Sequence, residues 1–300
     1  HETHRGCPYS CTFCDWGSAV YTKVRKFDTA RLLEEIEWFG RNQIDLLYNV
    51  DANYGMFTRD VDLTAAMVDV NRRHGGWPRK FRASYAKKSD DKVFEIANML
   101  NAAGMSKGVT LSTQSMDDHV LHVIKRKNIA MDRFKPLAQR YKMASIPTYT
   151  EVILGLPGET YQSYVQGLET LLESGQHDNL NIYMCMLLRN SEMSQSVSRR
   201  EHGIIGTVMP LADNHRSALH SDGIAEYHEV VISTDAMPHS DWREAWLVSW
   251  IIQALHCLDL TQAIACDYRR THGTHMGFYL ELIGLHREVD TIIGRQIRGA

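Results

Sequence analysis

Apolar residues along the chain fall into short runs that alternate with stretches of helical period, the arrangement expected of strand-helix repeats around a parallel sheet. Residues 1–6 read as the end of a first strand. Asp28 is placed to cap a helix whose Leu32, Leu33, Ile36 and Phe39 share a face. Residues 44–50 read as a second strand ending in the polar segment Asp51-Ala52-Asn53, and Leu63, Ala66, Met67 and Val70 mark the helix after it. After the Trp77-Pro78 break, residues 81–85 form a third strand. Val93, Ile96, Ala97 and Leu100 give its helix, with Gly104 at the C-cap. Residues 108–112 and 149–154 are strands four and five. Val120, Leu121 and Ile124 mark the helix after the former, and Tyr164, Val165, Leu168, Leu171 and Leu172 the helix after the latter; residues 181–188 are strand six.

Six such repeats in about 190 residues predict an α/β fold, a partial (β/α)6 TIM-type barrel, because a closed eightfold barrel takes about 250 residues. Right-handed crossovers put every strand-to-helix loop on one face. Beyond the repeats the pattern changes. Trp242, Trp246 and Trp250 recur with Leu247, Ile251 and Leu255 at helical spacing, and residues 276–297 read as helical again. The expected organisation is therefore a barrel over residues 1–195 and a mostly helical C-terminal extension over 196–300.

Composition narrows the function classes. With 44% hydrophobic and 23% charged residues the chain is globular, and a net charge of -3 supplies no broad basic field for nucleic acid. The longest charge-free apolar run, residues 245–258, contains Ser249, Gln253 and His256 and is shorter than a bilayer span. No membrane partner is expected. No leader precedes the first cysteine and the chain opens on His1, so it reads as part of something longer.

Three of the six cysteines, Cys7, Cys11 and Cys14, fall within eight positions of Arg5-Gly6-Cys7-Pro8-Tyr9-Ser10-Cys11-Thr12-Phe13-Cys14-Asp15-Trp16-Gly17. This C-x3-C-x2-C spacing lets one tight loop present three thiolates, the ligands of iron-sulfur clusters and zinc. Zinc in a structural site takes four ligands, and the next histidine downstream is His74; His1 and His4 lie upstream. Three thiolates on a four-iron cluster leave one iron open for a bound molecule.

This loop, with Phe13 as the aromatic before its third cysteine, resembles the signature of the radical S-adenosylmethionine (radical SAM) superfamily, and the resemblance extends over about residues 1–195. It implies a catalytic 4Fe-4S cluster on Cys7, Cys11 and Cys14. The open iron would bind the amino and carboxylate groups of S-adenosylmethionine, which is split reductively to methionine and a 5′-deoxyadenosyl radical. Later motifs agree. Ser112-Thr113-Gln114-Ser115 is followed, twelve residues after Gln114, by Arg126, a spacing found in oxygen-independent coproporphyrinogen oxidase, where the pair holds the carboxylate of S-adenosylmethionine. Arginine suits a carboxylate because its fork meets it bidentately. Gly155-Leu156-Pro157-Gly158-Glu159-Thr160 recurs in many members, its glycines admitting backbone near the adenosine. Glu151, a carboxylate in an otherwise apolar strand, is expected to face a polar site. Asp51 and Asn53 occupy the place of the family's Gly-Gly-Glu segment, which binds the amino group. The third strand offers Ser84, Tyr85, Lys87 and Lys88 where coproporphyrinogen oxidase relatives carry a glutamate.

The Cys14-Asp15-Trp16-Gly17 ending and the Asp51-Ala52-Asn53 segment look most like the branch with an N-terminal cobalamin-binding domain, many of whose members are methyltransferases while others carry out radical rearrangement or ring chemistry. The resemblance implies a methyltransferase or a radical-rearrangement enzyme. Cobalamin would then be held by an upstream domain, since no D-x-H-x-x-G segment occurs in this chain and His272-Gly273 lacks its context. The resemblance further implies a low-potential electron donor such as flavodoxin or ferredoxin, a small-molecule or peptide substrate, and a reducing cytoplasm. Two other readings stand beside it: a cobalamin-independent radical SAM enzyme, like coproporphyrinogen oxidase or a methylthiotransferase, and a noncatalytic zinc or iron-sulfur interaction module. Cys185, Cys257 and Cys266 read as packing residues, with Cys185 nearest the cavity. The histidines crowd the end of the chain, among them His202, His215, His220, His228, His239, His256, His272 and His275, with no metal-ligand spacing beside a supporting acid.

Overall fold

The computed structural model describes residues 1–16, 23–87, 91–177, 179–210, 226–292 and 294–295. Gly17, Lys88, His215, His220 and the end of the last predicted helix lie outside them. The fold is mixed α/β. Strand β1 (His4–Arg5) pairs antiparallel with β2 (Arg25–Lys26), and α1 (Thr29–Arg41) follows. Then come β3 (Leu46–Tyr54), α2 (Arg59–Arg73), β4 (Lys80–Tyr85), α3 (Asp91–Ala102), β5 (Val109–Thr110), α4 (Asp118–Val123) and α5 (Met131–Met143). The series continues through β6 (Thr148–Leu154), α6 (Tyr161–Glu173) and β7 (Leu180–Met184). Strands β3 and β4 pair in parallel, as do β5, β6 and β7.

Single links join these groups in chain order. The Val50 N–H donates to the His1 carbonyl at 2.9 Å, and the Phe81 N–H to the Met105 carbonyl at 2.9 Å, beside a parallel bridge from Phe81 to Ser106. Alternation sorts each strand. Leu47, Asn49, Asp51 and Asn53 of β3 and Phe81, Ala83 and Tyr85 of β4 are buried under the helices. Tyr48 and Arg82 take the opposite, open face. The helices answer with periodic apolar faces. Leu32 and Ile36 of α1 are buried and Gly40 lies tight against Val70 of α2, while Leu33, expected on that face, is 43% exposed because it sits one position round the helix. The Asp28 carboxylate accepts from the Arg31 N–H at 3.0 Å, the predicted cap.

Strand β3 runs on through the polar segment to Tyr54, so Asp51 and Asn53 stand within the strand and not after it. Helix α5 lacks a counterpart in the sequence pattern: it carries Pro136 inside it and only Phe134, Ala138 and Tyr141 are buried. The sixth strand ends at Met184 because the next residues change partner: Leu187 donates to Glu229 at 2.8 Å, and Val231 to Cys185 at 2.8 Å. Those bonds attach an antiparallel hairpin, β8 (Ile205–Pro210) and β9 (Tyr227–Ser233), which the pattern did not signal. A short α7 (Ser196–Glu201) precedes it; α8 (His239–Ile251), a π-helical turn Ile252–His256, α9 (Gln262–His272) and α10 (His275–Glu288) follow. Trp242 and Trp246 pack on the main core, and Trp250 is 43% exposed. The extension is tied to the repeats by polar contacts as well: Gln253 Oε1 accepts from the Ile182 N–H at 3.0 Å, and Tyr164 and Ser249 hydroxyls are 2.6 Å apart.

Candidate active site

The cysteine loop leaves β1 at Gly6, whose φ of +106° favours glycine. Its entry is fixed by one carboxylate. Asp51, fully enclosed in β3, accepts from the Thr3 N–H at 2.7 Å, the His4 N–H at 3.1 Å, the Asn49 amide at 3.1 Å and the Thr3 hydroxyl. Its far side is fixed too: the Thr12 N–H donates to the Ile124 carbonyl at 3.0 Å and the Met193 N–H to the Thr12 carbonyl at 2.9 Å. Within this frame Cys7 and Cys11 are buried and Cys14 is half-buried. Asn53 Nδ2 donates to Cys7 Sγ at 3.2 Å, and Lys87 Nζ to Cys11 Sγ at 2.9 Å. Lys87 also sits 4.5 Å over the Tyr9 ring. Donors aimed at sulfur stabilise thiolate charge, so the loop fits a thiolate-held cluster. The other amide atom, Asn53 Oδ1, is buried without a hydrogen-bond partner, a polar atom available to a bound group.

A cavity of about 240 Å³ opens beside this loop, walled by Tyr85, Lys87, Ser112, Gln114, Arg126 and Glu151, with Tyr48, Arg82 and Tyr149 at its open side. Gln114 has φ +66°, a left-handed conformation uncommon outside glycine. Its N–H donates to the Glu151 carbonyl and its own carbonyl accepts from Ile153, at 2.8 and 2.9 Å, so β6 enforces the turn that aims its side chain. Arg126 is nine-tenths or more enclosed. Its Nε donates to Asn128 Oδ1 at 2.9 Å and another guanidinium nitrogen to the Ser112 carbonyl. Asn128 Nδ2 in turn donates to the Ser115 carbonyl at 2.8 Å, and the Ser115 hydroxyl to Glu159 Oε1 at 2.6 Å. The Gly-Leu-Pro-Gly-Glu-Thr segment thus reaches the site through a relay of positioned side chains.

Electrostatics follow from burial. Desolvation pulls the Arg126 pKa below its ordinary value, and the neighbouring Cys11 and Glu151 oppose that pull. Two cations, Lys87 and Arg126, therefore face the thiols and suit an anionic ligand. Burial pushes Glu159 up to about 8, against the Ser115 hydrogen bond and with help from Asp117. Cys185 is buried and its thiol is pushed up to about 12 by desolvation, so it packs as a small apolar residue.

Ser112, Gln114, Arg126 and Glu151 meet at the cavity, with the Ser112 hydroxyl donating to the Glu151 carboxylate. Asn53 touches Cys7. The remaining predicted residues lie elsewhere: Asp51 is consumed by the β1 anchor, Phe13 packs under the loop with Val120 and Leu187, and Trp16 is 41% exposed. Gly155 has φ +94°, and the space beside its α-carbon is taken by Trp242 and Val231, 3.3 and 3.5 Å from where a β-carbon would sit. Sequence reasoning missed Asn128 and Ser115 as holders of Arg126, and the role of Lys87 as a donor to sulfur. The last had a signal: a cation at the end of the strand beside the cysteine loop.

The chain belongs to the radical SAM superfamily, whose family description matches residues 2–171. That family uses a 4Fe-4S cluster and S-adenosylmethionine, and its enzymes need a reductant. The chain is 41% identical to the cobalamin-dependent radical SAM methyltransferase TokK of Streptomyces tokunonensis over 91% of its length and 40% of that protein's. It is 37% identical to the 2-(S-pantetheinyl)-carbapenam-3-carboxylate methyltransferase of Streptantibioticus cattleyicolor over 98% of its length and 43% of that protein's. The chain thus spans about two-fifths of these relatives. The fold is similar to the radical S-adenosylmethionine methyltransferase TsrM of Kitasatospora setae, solved with cobalamin and a [4Fe-4S] cluster (TM-score 0.60, 15% identity, 84% of this chain and 51% of that one). No helix among the described residues is long and apolar enough to cross a membrane.

Proposed function

We propose that this chain is the catalytic part of a cobalamin-dependent radical SAM methyltransferase. The observation that carries the reading is the meeting of three loop cysteines, their Asn53 and Lys87 donors, and a cavity walled by Gln114 and Arg126. Cys7, Cys11 and Cys14 would hold the cluster, which when bound supplies the electron that cleaves S-adenosylmethionine. Lys87 and Asn53 would balance thiolate charge. Arg126, held by Asn128, Ser112 and the Ser115–Glu159 pair, would receive the carboxylate of S-adenosylmethionine beside Gln114, and Glu151 with Ser112 would take a polar edge of the same ligand. Asn53 Oδ1, a buried acceptor without a hydrogen-bond partner, would take its amino group. Asp51, though in the segment expected to do this, acts on the loop from behind.

The finer architecture belongs to the same proposal: a partial (β/α)6 barrel over residues 1–195, supported by the chain-ordered strand links, and an extension over 196–300 of helices and one hairpin. Cobalamin would be held by a separate unit outside residues 1–300, electrons would come from a flavodoxin or ferredoxin, and the setting would be the cytoplasm. Anaerobic reconstitution with iron and sulfide tests the core of this reading. A reducible cluster and 5′-deoxyadenosine formed with reductant are expected, and both should vanish in Cys11→Ala. Failure to form a cluster defeats the reading. Transfer of methyl from methylcobalamin by the parent protein tests the cobalamin part.

A further inference from the structure

On the side of the molecule where α6 hands over to β7, chain segments far apart in sequence bring metal-ligating side chains together. His177 lies in the α6–β7 connection, Cys266 on α9, and His275 at the first position of α10. One ligand atom from each lies within 4.8 Å of the others. The approach is backed by a supporting layer. His275 Nδ1 is 2.9 Å from Glu169 Oε1, and the same carboxylate accepts from the His275 and Met276 N–H groups at 3.1 and 2.7 Å and from the Thr274 hydroxyl at 2.6 Å. A carboxylate so placed assigns the Nδ1–H tautomer and leaves Nε2 as the ligating nitrogen, the arrangement of a carboxylate–histidine–metal triad. His177 Nδ1 is 3.0 Å from His256 Nε2, and the other nitrogen of that buried ring is 2.8 Å from the Tyr279 hydroxyl. The ring planes are thereby set from behind.

Three cations, Lys135, Arg269 and Arg270, line the cavity beside these ligands, and the two arginines are paired with carboxylates. Arg269 is held by both oxygens of Glu173, and Arg270 by Asp267. His177, Cys266 and His275 share one open cavity of about 320 Å³ with Glu173.

We propose that His177, Cys266 and His275 bind a zinc ion that clamps the α6–β7 connection to helices α9 and α10. Two imidazoles and one thiolate are a borderline-soft set that suits zinc over magnesium or calcium, and water from the cavity takes the fourth position. Binding releases the Cys266 thiol proton. The clamp would fix the helical extension to the strand repeats at the end away from the cysteine loop.

The test uses the full chain after reconstitution with iron and sulfide, so that the cysteine loop is filled, followed by zinc chloride and desalting. Zinc analysis should find about one ion per chain, and zinc X-ray absorption one sulfur at about 2.3 Å with nitrogen ligands at about 2.0 Å. Cys266→Ser should remove the sulfur shell and His275→Ala should abolish retention, with iron content unchanged in the conservative serine variant. Glu169→Gln should weaken zinc binding by about 10–100-fold. An all-sulfur shell, loss of zinc from the unaltered chain on desalting, or zinc affinity in the Cys266→Ser and Glu169→Gln variants equal to that of the unaltered chain overturns the proposal.

Discussion

Glu159 is enclosed, with Oε1 accepting from Ser115 and Oε2 without a hydrogen-bond partner, and this places a titration inside the stability of the fold. Desolvation raises its pKa from 4.5 to about 8. Below the lower value both folded and unfolded chains carry the proton and nothing is lost. Between the two values the unfolded chain ionises while the folded one keeps its proton, so stability falls as pH rises, by about 1.4 kcal/mol per pH step. Across the whole window the loss is about 4–5 kcal/mol, and about 3 kcal/mol of it is in place at neutral pH. Glu159→Gln removes the ionisation and keeps the acceptor for Ser115. Its stability relative to the parent chain should therefore climb with pH through that window and level off at either end. Anaerobic urea denaturation followed by tryptophan fluorescence, repeated at intervals from mild acid to mild alkali, reads this directly. A difference between the two chains that stays constant with pH would refute the assignment of a neutral carboxyl.

Three further outcomes are expected. Lys87→Met removes the ammonium that donates to Cys11 Sγ, and the reconstituted cluster should titrate at a more negative midpoint in potentiometry followed by electron paramagnetic resonance. Asp51→Asn keeps an Oδ1 for the Thr3 and His4 N–H groups but puts an NH2 where the Thr3 hydroxyl and the Asn49 amide donate, leaving the buried Asn49 donor unmet; a loss of about 1–3 kcal/mol, together with fewer irons bound per chain, should appear in thermal melts and iron analysis. Gly40→Ala drives a methyl to 2.4 Å from Val70 Cγ1 and 2.8 Å from the His74 ring, and should cost about 1–3 kcal/mol by separating α1 from α2 while cluster content holds.

What the sequence made legible was whatever depends on near neighbours. The cysteine loop is a motif of eight positions, the Asp28 cap acts over three residues, and α1, α2, α3 and α6 announce themselves by their own period. Gln114 and Arg126 were readable because their offset is fixed by one strand-loop-helix unit. The role of Asp51 was not, since the acceptor on β3 meets donors 47 and 48 positions away, and only the fold brings Thr3 and His4 to it. Gly155 shows the converse: the motif offers its glycines for close approach of backbone to the adenosine, whereas the space beside this one is filled by Trp242, which comes from the extension. The hairpin β8–β9 hid for a different reason. Most of β8 is exposed, so its side chains carry no apolar alternation to read.

The π-helical turn after α8 sets a rule for insertions and deletions. Its wide hydrogen bond, from the Cys257 N–H to the Ile252 carbonyl at 3.0 Å, houses one residue more than an α-turn would. Removing that one surplus residue restores α-helical pitch with the flanking phase kept, whereas adding a further residue before His256, with the bulge already filled, turns everything beyond it by about 100°. His256 would swing off Tyr279 and His177 although no side chain had been altered. Natural variation in this stretch is therefore constrained in length before it is constrained in chemistry.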